Sequence, residues 1–205
     1  MNSQFALPFS AAGADRDRAF IVTACNRDAV DLIEGWRDWP FGSAVLVGEQ
    51  GCGKTALGTA FAEQTGGDFV DDAHALEDNA LFHRWNRAQH DNVPILFASR
   101  AGPESWNIAL PDLNSRLNAS QFVHIGPPDD EMCMLLLQKL GRVQGAAIPD
   151  AVAEYAASRL ERSYAAIAAL AGMLDRLALE AQRPIGQKMA RTALAMIAGR
   201  DDETD

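Results

Sequence analysis

Lysine is scarce in this chain: Lys54, Lys139 and Lys188 are the only three among 205 residues, and arginine supplies the other positive charges. Acidic residues number 28 against 18 cationic ones, so the formal net charge is −10. A chain of that sign is repelled by phosphate backbones, which argues against a protein that grips DNA by electrostatics. Cysteine is equally sparse. Cys25, Cys52 and Cys133 stand far apart with no CxxC pair, which excludes a disulfide framework and a zinc ribbon and suits a reducing cytoplasm. His74, His83, His90 and His124 lack metal-ligand spacing. No apolar run approaches the roughly 18–20 residues that a bilayer span requires, so no membrane partner is expected. The opening MNSQFALPFSAAGADRDR has neither a basic region nor a long apolar stretch, and no secretory signal is expected from it. What remains is a chain with 48% hydrophobic residues, enough to bury a core and too many for disorder.

The pattern divides into four stretches. Residues 1–18 read as a flexible leader, interrupted by Pro8 and Gly13, with one apolar cluster, Gln4-Phe5-Ala6-Leu7-Pro8-Phe9. Residues 19–127 alternate helical and strand signals. Asn26 to Trp36 has a helical apolar face with Asn26 as a candidate N-cap. The short apolar runs Ser43–Val47, Asp68–Asp72, Pro94–Ser99 and Gln121–Ile125 read as strands, with helices over Thr55–Gln64 and Ala75–Gln89 between them. Strand and helix in alternation predict a parallel α/β sheet. After Pro127-Pro128, residues 128–198 read as a helical bundle: Asp129–Gln144, Pro149–Arg159, Ser163–Gln182 and Pro184–Ala198, each opened by an acidic, Ser or Pro start signal. The Ala-rich stretch from Ala165 to Leu170 suits close helix packing. Residues 199–205 are an acidic, solvated tail.

Gly48-Glu49-Gln50-Gly51-Cys52-Gly53-Lys54-Thr55 matches G-x-x-x-x-G-K-[ST] without mismatch, between a predicted strand and a predicted helix. Glycines at 48, 51 and 53 let the backbone curl so that its N–H groups, Cys52 among them, point at phosphate oxygens. The helix that follows adds its positive N-terminal end. Lys54 is placed to reach the β- and γ-phosphates of ATP or ADP, and the Thr55 hydroxyl to ligate Mg²⁺. Asp71, after the Phe69-Val70 run, is the candidate metal-side acid and Asp72 the candidate water-polarising group. The same two acids also suit a surface turn after Gly66-Gly67. Ser99, ending the third strand, is placed to sense a γ-phosphate.

With these residues in view, the chain resembles the AAA+ ATPases, and within them the DnaA-related proteins. The Hda/HdaA branch, whose members inactivate the replication initiator DnaA, looks most similar. Five further segments carry the resemblance: Ala19-Phe20-Ile21-Val22 with Asn26 and Ala29; Trp36-Arg37-Asp38-Trp39-Pro40; Leu81-Phe82-His83-Arg84-Trp85-Asn86; Leu110-Pro111-Asp112-Leu113-Asn114-Ser115-Arg116-Leu117; and Arg159–Ser163 with Met173–Arg176. Together they cover about residues 19–195.

The resemblance implies an AAA+ P-loop fold followed by a small helical lid. The stretch from Thr55 to Asp71 has room for one helix and no further strand, so the sheet is expected to be shortened to about four parallel strands, the missing one being an edge strand. Ile21 and Val22 become candidate adenine contacts. Arg116 becomes the arginine finger, a cation offered to the nucleotide of a neighbouring subunit. Gln4, Leu7 and Phe9 resemble the anchors of the peptide that binds the DNA polymerase III β sliding clamp; the cluster also suits a staple folding back on the domain. The implied partners are DnaA and the clamp, with a homodimer compatible and sequence-specific DNA binding not expected in a chain ending at Asp205 without a helix-turn-helix module. Two departures bear on turnover. Ala165 stands where the lid arginine of the family falls, with Arg162 one turn earlier, and Arg100 stands where an acid is common. Autonomous ATP hydrolysis is therefore expected to be weak. A self-assembling loader or motor ATPase and a degenerate nucleotide-binding module are the alternatives.

Overall fold

A computed structural model describes residues 20–201 of the chain. These divide into two compact units, residues 26–126 and residues 127–201 together with 20–25.

The first unit is built on a four-stranded parallel sheet, in the order β2-β3-β1-β4: β1 (Ser43–Val47), β2 (Asp68–Val70), β3 (Ile95–Ser99) and β4 (Gln121–His124). The two central strands are buried at every position, which explains their unbroken apolar sequence: both of their faces are covered. The edge strands are shorter and less apolar, and β4 is largely exposed. Register is in step across the sheet, with Val47 beside both Ser99 and His124. The C-terminal ends of β1 and β3 thus finish together, at the edge where the glycine-rich loop begins. The expected shortened sheet is the one observed.

Around it pack α1 (Arg27–Glu34), α2 (Lys54–Thr65), α3 (Asp78–Asp91) and α4 (Pro111–Asn118). Asn26 holds the N-cap position of α1 without a side-chain capping bond, and the helix closes at Gly35, short of the predicted Trp36. Helix α3 starts later than predicted because Asp72 adopts a left-handed backbone (φ 45°) and Ala73–Ala75 form a single 3₁₀ turn. Helix α4 was legible only as a motif; its Pro111 start and its buried pair Leu113 and Leu117, one turn apart, explain it. Leu81, Trp85 and Ala88 of α3 join Leu113 and Leu117 of α4 against Val45, Val70 and Phe97 in one core.

The second unit is helical: α5 (Asp130–Val143), α6 (Asp150–Ala157), α7 (Tyr164–Ala181) and α8 (Gln187–Asp201). Two caps set its boundaries. The Asp129 carboxylate accepts the Met132 N–H at 2.7 Å, and the Ser163 hydroxyl accepts the Ala166 N–H at 3.1 Å. Ile167, Leu170 and Leu174 of α7 pack with Leu137 of α5 and Val152 of α6, and the intervening alanines let the helices approach closely. Residues 20–25, assigned by sequence to the α/β stretch, group with this unit instead. The reason is local: Asp129 also accepts the Cys25 N–H at 3.1 Å and a bond from the Thr23 side chain, while Cys25 Sγ lies 3.5 Å from the Tyr164 hydroxyl. Among the described residues, no helix is long and apolar enough to cross a membrane.

Candidate functional site

The loop from Gly48 to Gly53 leaves β1 and delivers Lys54 as the first residue of α2. Gly51 and Gly53 have φ of 85° and 99°, a left-handed conformation that a side chain disfavours. The Gly48 N–H donates to the Ser99 carbonyl at 3.2 Å, tying the start of the loop to the end of β3. Lys54 is buried. Its ammonium donates to the Gly48 carbonyl at 2.8 Å and to the Glu49 carbonyl at 2.9 Å, inside the curl of the loop. Two of its three donors thus fix the side chain. The third has, among the described residues, only the Cys52 sulfur at 3.9 Å, a weak acceptor that an anion would displace. Cys52 is buried in the same curl; burial pushes its thiol pKa up, and the Lys54 ammonium only partly opposes that. A thiol in that state is a packing residue, not a nucleophile.

Thr55 and Asp71 meet. The Thr55 hydroxyl donates to the Asp71 carboxylate at 2.5 Å, although the two residues come from α2 and from the turn after β2. The other Asp71 oxygen accepts the Asp72 N–H at 3.0 Å. Hydroxyl and carboxylate oxygens suit a hard cation such as Mg²⁺. No group of three or more His, Cys, Asp or Glu side chains is placed to hold a metal among the described residues. A magnesium ion here would therefore need oxygens from phosphate and water, as this ion usually does. Asp72 is exposed in its left-handed turn.

Ser99 is fully buried and its hydroxyl is engaged by His74 Nδ1 at 3.0 Å. The exposed side chains at the end of β3 are those of its neighbours. His74 is exposed, and Arg100 donates to the Gln50 side-chain oxygen at 3.0 Å, at the tip of the loop. Neither His74 nor Gln50 is marked by the motif, since the motif leaves position 50 free and His74 lies outside it. Gln50 lies in the loop itself, and the parallel pairing of β2 with β3 brings His74, which follows β2, to Ser99.

Arg116 lies on α4 in a ring of partners. Its guanidinium pairs with Asp112, with the nearer contacts at 2.7 and 2.9 Å, and donates to the Asn86 side-chain oxygen at 2.7 Å. It also stacks over the Trp85 ring at 4.2 Å and the Phe82 ring at 5.1 Å. Its side chain keeps 28% of its surface exposed. Ile21 and Val22 are half-buried in the helical unit. Arg162 is paired there with Asp130 at 2.8 Å. Gln4, Leu7 and Phe9 lie outside the described residues.

The geometry therefore collects Gly48, Gly51, Cys52, Gly53, Lys54, Thr55, Asp71, Asp72 and Ser99 at one end of the sheet. A glycine-rich loop opens a helix there, with a threonine joined to an acid that follows another strand. No protein-family model matches the sequence. Several solved structures do resemble it. Domain III of the replication initiation protein DnaA from Thermotoga maritima superposes with a TM-score of 0.71 over 95% of this chain and 97% of that one, at 16% identity. A replication initiator DnaA bound to AMPPCP and single-stranded DNA gives 0.60 over 81% of this chain and 67% of that one, also at 16% identity. A single-substitution variant of RuvB from Thermotoga maritima gives 0.63 over 87% of this chain and 70% of that one, at 15% identity. At such identities the likeness is one of fold: a four-stranded parallel α/β unit with helices.

Proposed function

We propose that this chain is a DnaA-related, nucleotide-binding regulator of DNA replication initiation, of the kind that inactivates DnaA. The observation that carries the reading is the complete phosphate loop with Lys54 inside its curl and Thr55 bonded to Asp71. The likeness to DnaA domain III, and the AMPPCP bound to one DnaA, agree with it. In this reading the loop N–H groups and Lys54 hold the β- and γ-phosphates of ATP or ADP, Thr55 and Asp71 hold Mg²⁺, and Ile21 and Val22 are the candidate contacts to the base. Held by Thr55 and Asp71, Mg²⁺ would supply positive charge to offset that of the phosphates. Residues 26–126 then form the nucleotide-binding domain and residues 128–198 the lid.

Weak turnover by the chain alone follows from the acid after Asp71. Asp72 is short, exposed and held in a turn, a poor arrangement for orienting water. The regulatory cation is Arg116, offered in trans to ATP held by DnaA, with Gln4, Leu7 and Phe9 tethering the leader to the β sliding clamp. Its bond to Asp112 does not bar that role: an exposed ion pair is worth at most about 1 kcal/mol and exchanges readily for a phosphate. A net charge of −10 sets the chain apart from a DNA-gripping initiator.

The test is turnover of DnaA-bound ATP with clamp loaded on DNA. Wild type should accelerate it, whereas Arg116→Ala and the Gln4/Leu7/Phe9→Ala variant should not; no acceleration by wild type sinks the reading. The likeness to RuvB, one form of which is a Holliday junction branch migration motor, keeps a second reading, a self-assembling ATPase. ATP-dependent growth into rings, seen by light scattering, would favour it.

A further inference from the structure

We infer that Arg100 selects triphosphate over diphosphate: its guanidinium leaves Gln50 and binds the terminal phosphate of the nucleotide held by the loop. This deepens the nucleotide-binding reading above and rests on it. Three observations carry it. Arg100 follows the last residue of β3, and the Ser99 carbonyl before it accepts the Gly48 N–H at 3.2 Å, so its backbone is anchored to the beginning of the loop. The guanidinium already reaches the tip of the loop, where it donates to the neutral Gln50 amide oxygen at 3.0 Å. Unlike Arg84 and Arg116, which pair with Asp68 and Asp112, Arg100 has no carboxylate partner among the described residues.

Charge decides what such a cation would bind. Glu49, Asp71 and Asp72 all lie close by in sequence to the loop or its metal side, yet Arg100 is bonded to an uncharged amide. An exposed bond from guanidinium to amide is weak and exchanges cheaply, whereas guanidinium to phosphate is charge-assisted and often bidentate. Lys54 brings only one open donor to the phosphates, because its other two hold the Gly48 and Glu49 carbonyls inside the curl. The Ser99 hydroxyl brings none, being fully buried and bonded to His74. A third phosphate adds negative charge beyond the loop, where Arg100 stands; a diphosphate does not. Gln50 acts as the resting partner that keeps the guanidinium at the rim.

The experiment is equilibrium titration of the full chain with AMPPCP and with ADP, each with Mg²⁺, for wild type, Arg100→Ala, Arg100→Lys and Gln50→Ala. Arg100→Ala is expected to weaken AMPPCP about tenfold, the size of one charge-assisted contact, while ADP changes by less than about twofold. Arg100→Lys should recover part of the loss, and Gln50→Ala should not weaken AMPPCP. Arg100 is exposed, so the variants should fold, which circular dichroism checks. Equal losses for both nucleotides, or none for either, overturn the assignment alone. Wild type binding neither nucleotide overturns the nucleotide-binding reading, and the assignment with it.

Discussion

The Thr55 hydroxyl and the Asp71 carboxylate are 2.5 Å apart, joining the first turn of α2 to the turn after β2. Sixteen residues separate them in sequence. Helix α2 brings the two together by running back along the sheet, so that a hydroxyl and a carboxylate meet beside the phosphate loop. The bond is exposed, and by itself it stabilises the fold by less than about 1 kcal/mol. Its consequence is for metal binding. Wild type should bind ATP more tightly with Mg²⁺ than with EDTA, and Thr55→Ala or Asp71→Asn should lose most of that gain while the EDTA value stays put. Calorimetric titration under the two conditions reads the ratio directly. A magnesium gain that survives both substitutions would remove these residues from the metal side.

Arg116 is expected to matter for stability as well as for any role in trans. Its stack on Trp85 and its bonds to Asp112 and Asn86 would be lost in Arg116→Ala. Cation–π contacts and partly exposed hydrogen bonds each contribute on the order of 0.5–1.5 kcal/mol, so the total loss should be roughly 1–2 kcal/mol. Urea unfolding measures it. A loss near zero would mean that the ring of partners is a loose surface arrangement.

Freeing the same guanidinium should have the opposite effect on the regulatory assay. Asp112→Asn removes the paired charge while leaving Trp85 and Asn86 in place. DnaA-bound ATP should then be hydrolysed at least as fast as with wild type. A sharp fall would show that Asp112 positions Arg116 rather than restraining it.

The junction of α2 and β2 allows a purely steric prediction. A Cβ on Gly67 would lie 2.6 Å from the Pro94 carbonyl oxygen and 2.9 Å from the Phe61 ring. The carbonyl is backbone and already accepts the Asp68 N–H at 2.8 Å, so it cannot swing aside without breaking the β2–β3 edge. Gly67→Ala should cost roughly 1–3 kcal/mol, as overpacking usually does. Gly66, with φ at 69° and open space around it, should cost only the roughly 1–2 kcal/mol of a left-handed conformation. Thermal melts of the two variants separate the mechanisms.

Asp129 links stability to pH. Burial alone would raise its pKa, but the Met132 and Cys25 N–H groups, the Thr23 side chain and the Arg162 charge outweigh burial and lower it. The folded value lies below the ordinary aspartate value of 3.8, so the stabilisation is complete above that pH and is lost as pH falls through the lowered value. Asp129→Ala should therefore destabilise the chain by about 1 kcal/mol at pH 7, the worth of a helix cap, with the gap closing in strong acid. Denaturant titrations at both ends of the range check the sign.

Much of this was legible beforehand. The central strands announce themselves as unbroken apolar runs because both of their faces are covered. The loop is legible because phosphate binding demands glycines, a lysine and a hydroxyl at one spacing along the chain. The missing edge strand could be inferred from the short interval between Thr55 and Asp71. Helix ends were less legible, as Asp72 and the 3₁₀ turn at Ala73–Ala75 show: a left-handed residue shifts the start of α3 without leaving a compositional mark.

The amino-acid sequence by itself determined the strands, the phosphate loop and the caps at Asp129 and Ser163, since each depends on residues within one or two turns of one another. The tertiary structure alone decided which side chains meet across the fold. The parallel pairing of β3 with β2 on one side and β1 on the other sets the Ser99 hydroxyl against His74 and Arg100 against Gln50. Helix α3, thirty residues before Arg116, supplies the asparagine and the indole that hold its guanidinium. Asp129, more than a hundred residues from Cys25, draws residues 20–25 into the helical unit. Contacts of that reach have no period and no spacing in the chain; they exist only once strands are paired and helices packed.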